Sequence, residues 1–324
     1  MKNLTLSQAI EGFLLEKEAQ RLSPCTVKDY TSAFRKLQAF LGDPVFASIT
    51  LDQLRAFMAD LAKPRQPGGI APRPVMVLSK KTMLNIHTGL SALRTWAVTE
   101  GLTKRHLLRE IPRPRPPSGK RAVTPFTEQD IKTLLAACDR SKPYDRPGKK
   151  TSDHSRTTGL RDRAIILLLL DTGIRAAELS EMQIQQVDIK NKRIRVMGKG
   201  SKERLLPISP TTSKAIWRYL STQRKDEPVD QPLFITLVGR PVTRTGLLQR
   251  LNSLGEKAGV PDCHPHRFRH TFAVNFLRNG GNAYELQMSL GHSTLEMVKT
   301  YLSLADADLE NAHKRASPVE KWRL

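Results

Sequence analysis

Three cysteines in 324 residues, Cys25, Cys138 and Cys263, are too few, too scattered and odd in number for a disulfide framework. That excludes the small secreted domains held by disulfides and makes a reducing cytoplasm the expected setting. Long apolar runs are missing as well. The longest, Ala164 to Leu170, falls far short of the roughly 20 residues needed to cross a bilayer. The first residues, MKNLTLSQAIEGFLLEKEAQ, carry helical periodicity and acidic groups in place of a charged-then-apolar leader. The P-loop spacing GxxxxGK[ST] occurs nowhere, so nucleotide hydrolysis has no support. Internal repeats and low-complexity tracts are absent too. Acidic residues are scarce: 31 Asp and Glu face 53 Lys and Arg, for a net charge of +22 at pH 7. Such an excess points to a polyanion, because phosphates held by Lys and Arg release condensed counterions. A basic protein of ribosomal type, or one that is merely soluble and basic, is the other reading of charge alone.

What is present begins with helices. The length suits two domains better than one small core. Thr5 and Gln8 form a capping box ahead of Ile10, Phe13 and Leu14. Ser23-Pro24 opens a second helix with Val27, Tyr30, Phe34, Leu37 and Leu41 on one face, stopped at Gly42. Thr50 and Gln53 open a third, with Leu54, Met58 and Leu61 inward, and Ser79 a fourth carrying Met83, Ile86, Leu90, Leu93 and Ala97. A Pro/Gly/Arg loop, 62–77, separates these last two. Four amphipathic helices can close one small core. The segment IPRPRPPSGK, 111–120, cannot continue a helix and reads as an extended, basic interdomain linker. Beyond it Thr127 and Asp130 cap a helix with Ile131, Leu134 and Leu135; residues 141–158 are polar and basic; and Ala164 to Leu170, apolar all round, marks a buried central helix. The period then changes: VDI, RIRV and RLLPI between Val187 and Ile208 predict three short strands, with turns at Asn191-Lys192 and Gly198 to Ser201. Helices return near Ser213, Thr245, His266, Asn282 and Ser293.

Four segments combine charged groups with strong local signals, and each has a plain reading by itself. In DTGIRAAELSEM, 171–182, Gly173 permits a sharp turn, a helix is expected from about Ile174, and Arg175 and Glu178 share one face; an ordinary surface ion pair is the plain reading. Lys199 sits at the tip of a hairpin between Gly198 and Gly200, where a GKG is usually only a turn. Pro265 can start a helix that brings His266, Arg269 and His270 to neighbouring positions. His270 suits helix packing. A metal cluster of Cys263, His266 and His270 is disfavoured for want of a fourth ligand. Ser293 and Glu296 form a capping box right after His292, with Leu295, Val298 and Leu302 inward; Tyr301 falls two turns in, where packing would explain an isolated tyrosine.

In this order the segments resemble the active site of the tyrosine recombinase (phage integrase) family, which includes Cre and the Xer proteins. The shared pattern is TGxRxxE, GKGxK, HxxRH, then LGH with a tyrosine nine residues on, and every element is present without substitution. The resemblance implies a mainly α fold with a small antiparallel β-sheet. Residues 1–111 would be a helical, SAM-like core-binding DNA-binding domain, 112–124 a linker, and 125–324 the mixed α/β catalytic domain with a C-terminal tail. It implies Arg175, Lys199, His266, Arg269, His292 and Tyr301 as catalytic residues, with Glu178 and His270 in support and neither cofactor nor metal.

The chemistry fits those residue types. Two guanidiniums suit the non-bridging oxygens of a five-coordinate phosphate. Tyr301 would be the nucleophile and His266 its proton acceptor. By resemblance Lys199 would protonate the departing 5′ oxygen, His292 would hydrogen-bond the phosphate, and Glu178 would orient Arg175 or its neighbours. The implied partner is double-stranded DNA at target sites, handled by a homo-tetramer on two duplexes, with no membrane involved. The C-terminal segment, a helix from Ala305 to Lys314 followed by SPVEKWRL, would dock on a neighbouring subunit or pack on its own. No further domain precedes the core-binding helices, so an arm-site-binding integrase is not expected, and the long loops at 62–78 and 141–158 favour a mobile-element enzyme. A type IB topoisomerase and a non-catalytic DNA-binding accessory protein are the alternatives. Relaxation of plasmid without a target site would single out the first, and the intact residue set argues against the second, because binding alone does not require a tyrosine at position 301.

Overall fold

Side chains that end the orphan N–H groups of a helix decide where most elements begin. In the computed structural model, residues 4–64, 75–115, 124–139, 157–198 and 203–291 are described, and beyond them 294, 295, 298, 299, 301, 313, 317 and 319. The chain divides into two units, Met1–Arg121 and Ala122–Leu324.

The first unit holds α1 (Leu6–Ala19), α2 (Pro24–Leu41), α3 (Leu51–Leu61) and α4 (Lys80–Thr99). Thr5 accepts from the Gln8 N–H at 3.3 Å while the Gln8 side chain accepts from the Thr5 N–H at 3.0 Å. Thr50 and Gln53 repeat the box at α3, and Ser23 and Ser79 cap α2 and α4. These caps fix which faces turn inward. Phe13, Phe34, Leu54, Phe57, Leu61, Leu90 and Leu93 meet in one core, and Phe13 sets its ring edge-on against Phe34 and Trp96. Leu14, Val27 and Tyr30, expected on the inner face, are only half-buried.

The second unit is built around α6 (Gly159–Thr172). Ala164, Ile166, Leu168 and Leu169 are fully buried, and the helix packs against α5 (Glu128–Asp139), α8 (Pro210–Gln223) and α10 (Pro265–Arg278). An apolar run with no polar stripe needs neighbours on every side, and here it has them. Beside it lies a three-stranded antiparallel sheet, β1 (Val187–Asp188), β2 (Arg193–Met197) and β3 (Glu203–Pro207), in the order β1-β2-β3. Ile194 pairs with Leu206 and Val196 with Arg204. Ile194, Val196 and Leu206 therefore enter the core, while Arg195 and Leu205 face solvent. The fold is mainly α with a small antiparallel sheet, as the sequence implies.

Several boundaries differ from expectation. The helix after Gly173 is α7 (Ala176–Ser180), starting two residues late because Arg175 is extended (φ −75°, ψ 152°) and serves as its N-cap. Helices expected near Ser213 and Thr245 start at Pro210, under the Ser209 cap, and at Arg244, under Thr243, as α8 and α9 (Arg244–Ala258). Leu295, expected inward, is 48% exposed. Its carbonyl accepts from Val298 and Lys299, so it occupies the first turn of the segment that carries Tyr301. The Lys199 turn, most of the loops at 62–78 and 141–158, and nearly all of the C-terminal helix and tail lie outside the described residues. Among the described residues, no helix is long and apolar enough to cross a membrane.

Candidate active site

Arg269 shows how the site is assembled. It follows Pro265, the N1 residue of α10, by one turn, and its guanidinium is buried (5% exposed) between two helix ends. One terminal nitrogen donates to the Gly173 carbonyl at 2.8 Å and the other to the Leu290 carbonyl at 2.8 Å. Gly173 is the left-handed C-cap of α6, and Leu290 is the last residue of α11 (Ala283–Leu290). Both carbonyls are orphan acceptors at the negative end of a helix, which is where a buried cation is best held. Burial, and then the charge of Arg175, bring the Arg269 pKa down to about 10, so it stays cationic at neutral pH.

The end of α11 gathers two more arginines. The Ser289 carbonyl accepts from Arg204 Nε at 3.0 Å, and the Gly291 carbonyl accepts from an Arg175 terminal nitrogen at 3.0 Å. Three successive carbonyls thus each hold a different guanidinium, and His292 is the next residue in the chain. Glu178 ties two of these cations together. Its carboxylate accepts from the Arg175 backbone N–H at 2.7 Å and the Arg175 side chain at 2.9 Å, and from both Arg204 terminal nitrogens at 3.0 and 2.9 Å. The predicted pairing of Arg175 and Glu178 exists, but as a helix cap reinforced by an ion pair, not as two residues on one helix face. Burial alone would raise the Glu178 carboxyl; the Arg204 hydrogen bonds, the Arg175 N–H and the two positive charges outweigh it and hold it below the ordinary range.

Tyr301 lies in the apolar cluster made by α10 and α11, with Val274, Leu286, Leu290 and Val298, and is 6% exposed. Burial raises its phenol pKa, while the charge of Arg269, a hydrogen bond from that guanidinium and the charge of Arg175 pull the other way. Its ring lies 5.2 Å from that of His270, tilted by 59°. His266, at the exposed start of α10, is held below its ordinary pKa by partial burial and by the neighbouring His264, Arg269, Arg244 and Arg175. It is a neutral base at pH 7. A cleft of about 480 Å³ runs between the first turns of α7, α9 and α10, lined by Arg175, Arg244, Thr245, His264 and His266 among others.

Arg175, Glu178, His266, Arg269 and Tyr301 are therefore brought together from distant parts of the sequence, with His270 behind the tyrosine. Lys199 and His292 lie outside the described residues. Cys263 lies in the hydrophobic core, 2% exposed, where burial pushes its thiol up to about 12. Among the described residues, no cluster of three or more His, Cys, Asp or Glu is placed to hold a metal. Sequence reasoning missed Arg204. Its signal was faint: an arginine in β3, five positions past the hairpin lysine, with inward alternation toward Val196 across the strand pair.

The arrangement can hold a tetrahedral anion between two guanidiniums, beside a phenol and a neutral imidazole. Among curated proteins, tyrosine recombinase XerC of Yersinia pestis is 26% identical over 322 residues, covering 98% of this chain and 97% of that protein. Tyrosine recombinase XerC of Staphylococcus epidermidis is 36% identical over 177 residues, which is 53% of this chain and only 60% of that relative's length. In fold, the chain is similar to the Tn1549 transposon integrase in complex with transposon right end DNA (TM-score 0.69, 19% identity, 97% of this chain and 99% of that one). It is also similar to XerH site-specific recombinase bound to palindromic difH substrate (TM-score 0.67, 20% identity, 95% and 84%). The model of the phage integrase family matches residues 125–308. That span holds every residue of the arginine–tyrosine cluster, and on this ground the chain belongs to the phage integrase family.

Proposed function

We propose that the protein is a tyrosine-type site-specific recombinase or integrase that cuts and rejoins DNA through a 3′-phosphotyrosyl intermediate. The observation that carries this reading is the position of the Tyr301 hydroxyl on Arg269, inside the field of Arg175. In the proposed step the Tyr301 oxygen attacks the scissile phosphorus, a new P–O bond forms to tyrosine, and the P–O5′ bond breaks. His266 accepts the phenol proton, and the departing 5′ oxygen takes a proton, by family resemblance from Lys199. Arg175 and Arg269 stabilise the charge on the non-bridging oxygens as it builds up. One phosphodiester replaces another, so a 5′-hydroxyl from a second duplex can reverse the step without a nucleotide cofactor.

By the same resemblance the working assembly is a homo-tetramer on two duplexes, with the first unit and the catalytic unit both holding DNA. The long basic loops at 62–78 and 141–158 support a role in moving a mobile element. The experiment is capture of covalent complexes. Wild-type protein incubated with sheared genomic DNA from its source should yield a protein–DNA adduct that survives detergent, and the captured DNA, rebuilt as a nicked duplex, should trap it stoichiometrically. Tyr301→Phe should bind that duplex within about threefold of wild type and form no adduct; an adduct that persists in the variant overturns the assignment. Relaxation of a supercoiled plasmid without the captured sequence would point instead to a type IB topoisomerase activity.

A further inference from the structure

Arg204 does not face the cleft. All three of its guanidinium nitrogens are committed inward, to the two Glu178 oxygens and the Ser289 carbonyl, and its side chain is only 14% exposed. Arg175, on the other side of the same carboxylate, is 36% exposed and spends one N–H on Glu178 and one on Gly291. Of the five N–H donors a guanidinium carries, the remainder of Arg175 are left for an anion. Glu178, at 7% exposure, accepts four hydrogen bonds, which fills the four lone-pair sites of a carboxylate.

We propose that Arg204 is a positioning residue for strand cleavage: by occupying one side of Glu178 and the Ser289 carbonyl, it keeps the Arg175 guanidinium directed at the scissile phosphate and its charge uncancelled. This role rests on the recombinase reading above. The reasoning is electrostatic as well as geometric. Glu178 with Arg175 alone would be a neutral pair, presenting little net charge to a phosphate. With Arg204 the triad carries one net positive charge, and the exposed end of that charge is Arg175. Without Arg204, two acceptor sites on a buried carboxylate fall vacant, and the nearest donors able to fill them are the free N–H groups of Arg175. The arginine would then close on Glu178 as a bidentate pair and withdraw from the phosphate. Arg204 also binds the carbonyl immediately before the one held by Arg269, so the same side chain fixes the α11 end on which both phosphate-facing arginines rest.

The test uses full-length protein and the nicked duplex rebuilt from captured DNA. R204Q should bind that duplex within about threefold of wild type, yet its single-turnover rate of adduct formation should fall about 100-fold, the size of loss expected when a reacting group is misplaced by about 1 Å. R204K, which keeps the charge but not the fork, should retain roughly a tenth of wild-type rate. The decisive variant is the double substitution E178Q/R204Q. Removing the carboxylate charge frees Arg175, so the double variant should cleave about tenfold faster than R204Q, a non-additive rescue. A side chain that merely packs would give the opposite, a double variant slower than either single one. R204Q cleaving at wild-type rate also overturns the proposal. If R204Q loses cooperative unfolding, R204K and E178Q/R204K decide by the same comparison. If wild-type protein forms no adduct at all, the recombinase reading fails first, and this role falls with it.

Discussion

A phenol placed among Val274, Leu286, Leu290 and Val298 resists ionisation, and the Tyr301 pKa is accordingly raised. Its proton must therefore leave in the reaction itself, to a base that is unprotonated at working pH. His266 meets that condition because partial burial and the surrounding cations hold it below 6.5. The sign is direct: a histidine with a lowered pKa is neutral from alkaline pH down through neutrality and gains its proton only as pH falls through the lowered value. Adduct formation at saturating protein should change little from about pH 8 down to neutrality and should decline as pH falls through the lowered His266 value. His266→Gln should be slow throughout and lack the acid limb. A wild-type rate already falling on the alkaline side of pH 7 would remove His266 from the role. At this scale the sequence was informative, because the side chains that would face the phosphate stand in fixed local spacings such as HxxRH. Arg204 was hidden because its partners, Glu178 and Ser289, are brought to it only by the tertiary fold.

Elements act here mainly through their ends. α6 supplies the Gly173 carbonyl and α11 supplies three carbonyls in a row, so the cation pocket is a meeting of helix C-termini. The turn at Gly173 has two requirements that the sequence could signal only in part. Its φ of +60° is the left-handed region, which glycine signals by itself. The second is contact, since an added Cβ would lie 2.5 Å from Phe272 Cδ1 and 2.9 Å from Leu290 Cδ2. Gly259, the C-cap of α9, has a similar φ of +68° and nothing within 4 Å. Gly259→Ala should therefore destabilise by about 1 kcal/mol, from backbone strain alone. Gly173→Ala adds overpacking and should cost about 3 kcal/mol in urea unfolding; it should also slow adduct formation, because Arg269 hangs on the Gly173 carbonyl. Equal destabilisation in the two variants would mean that the Phe272 and Leu290 contacts carry no weight. In the first unit the helix starts were legible from their Thr and Ser caps; the start of α7 was not, because arginine is no usual N-cap and only the Glu178 carboxylate makes Arg175 one.

At the scale of the whole molecule, two kinds of positive charge must be kept apart. Both units carry more Lys and Arg than Asp and Glu, and together they reach +22. Among the described residues, most Lys and Arg side chains are exposed, where ions screen their charge within a Debye length of about 8–10 Å. Arg269 is different: 5% exposed and hydrogen-bonded to two carbonyls, it acts across a short, poorly solvated distance that salt reaches weakly. Binding and chemistry should therefore respond to salt separately. If the exposed charge holds DNA by releasing counterions from about six or more phosphates, affinity should drop by about 10³-fold or more between 50 and 200 mM salt. The rate of adduct formation by protein already saturated with nicked duplex should stay within about twofold over the same range. A flat binding curve would detach the basic surface from DNA. A cleavage rate that fell in parallel with affinity, at saturation, would mean that the arginine pocket is open to solvent ions, and the buried geometry of Arg269 would then be the wrong basis for the phosphate chemistry.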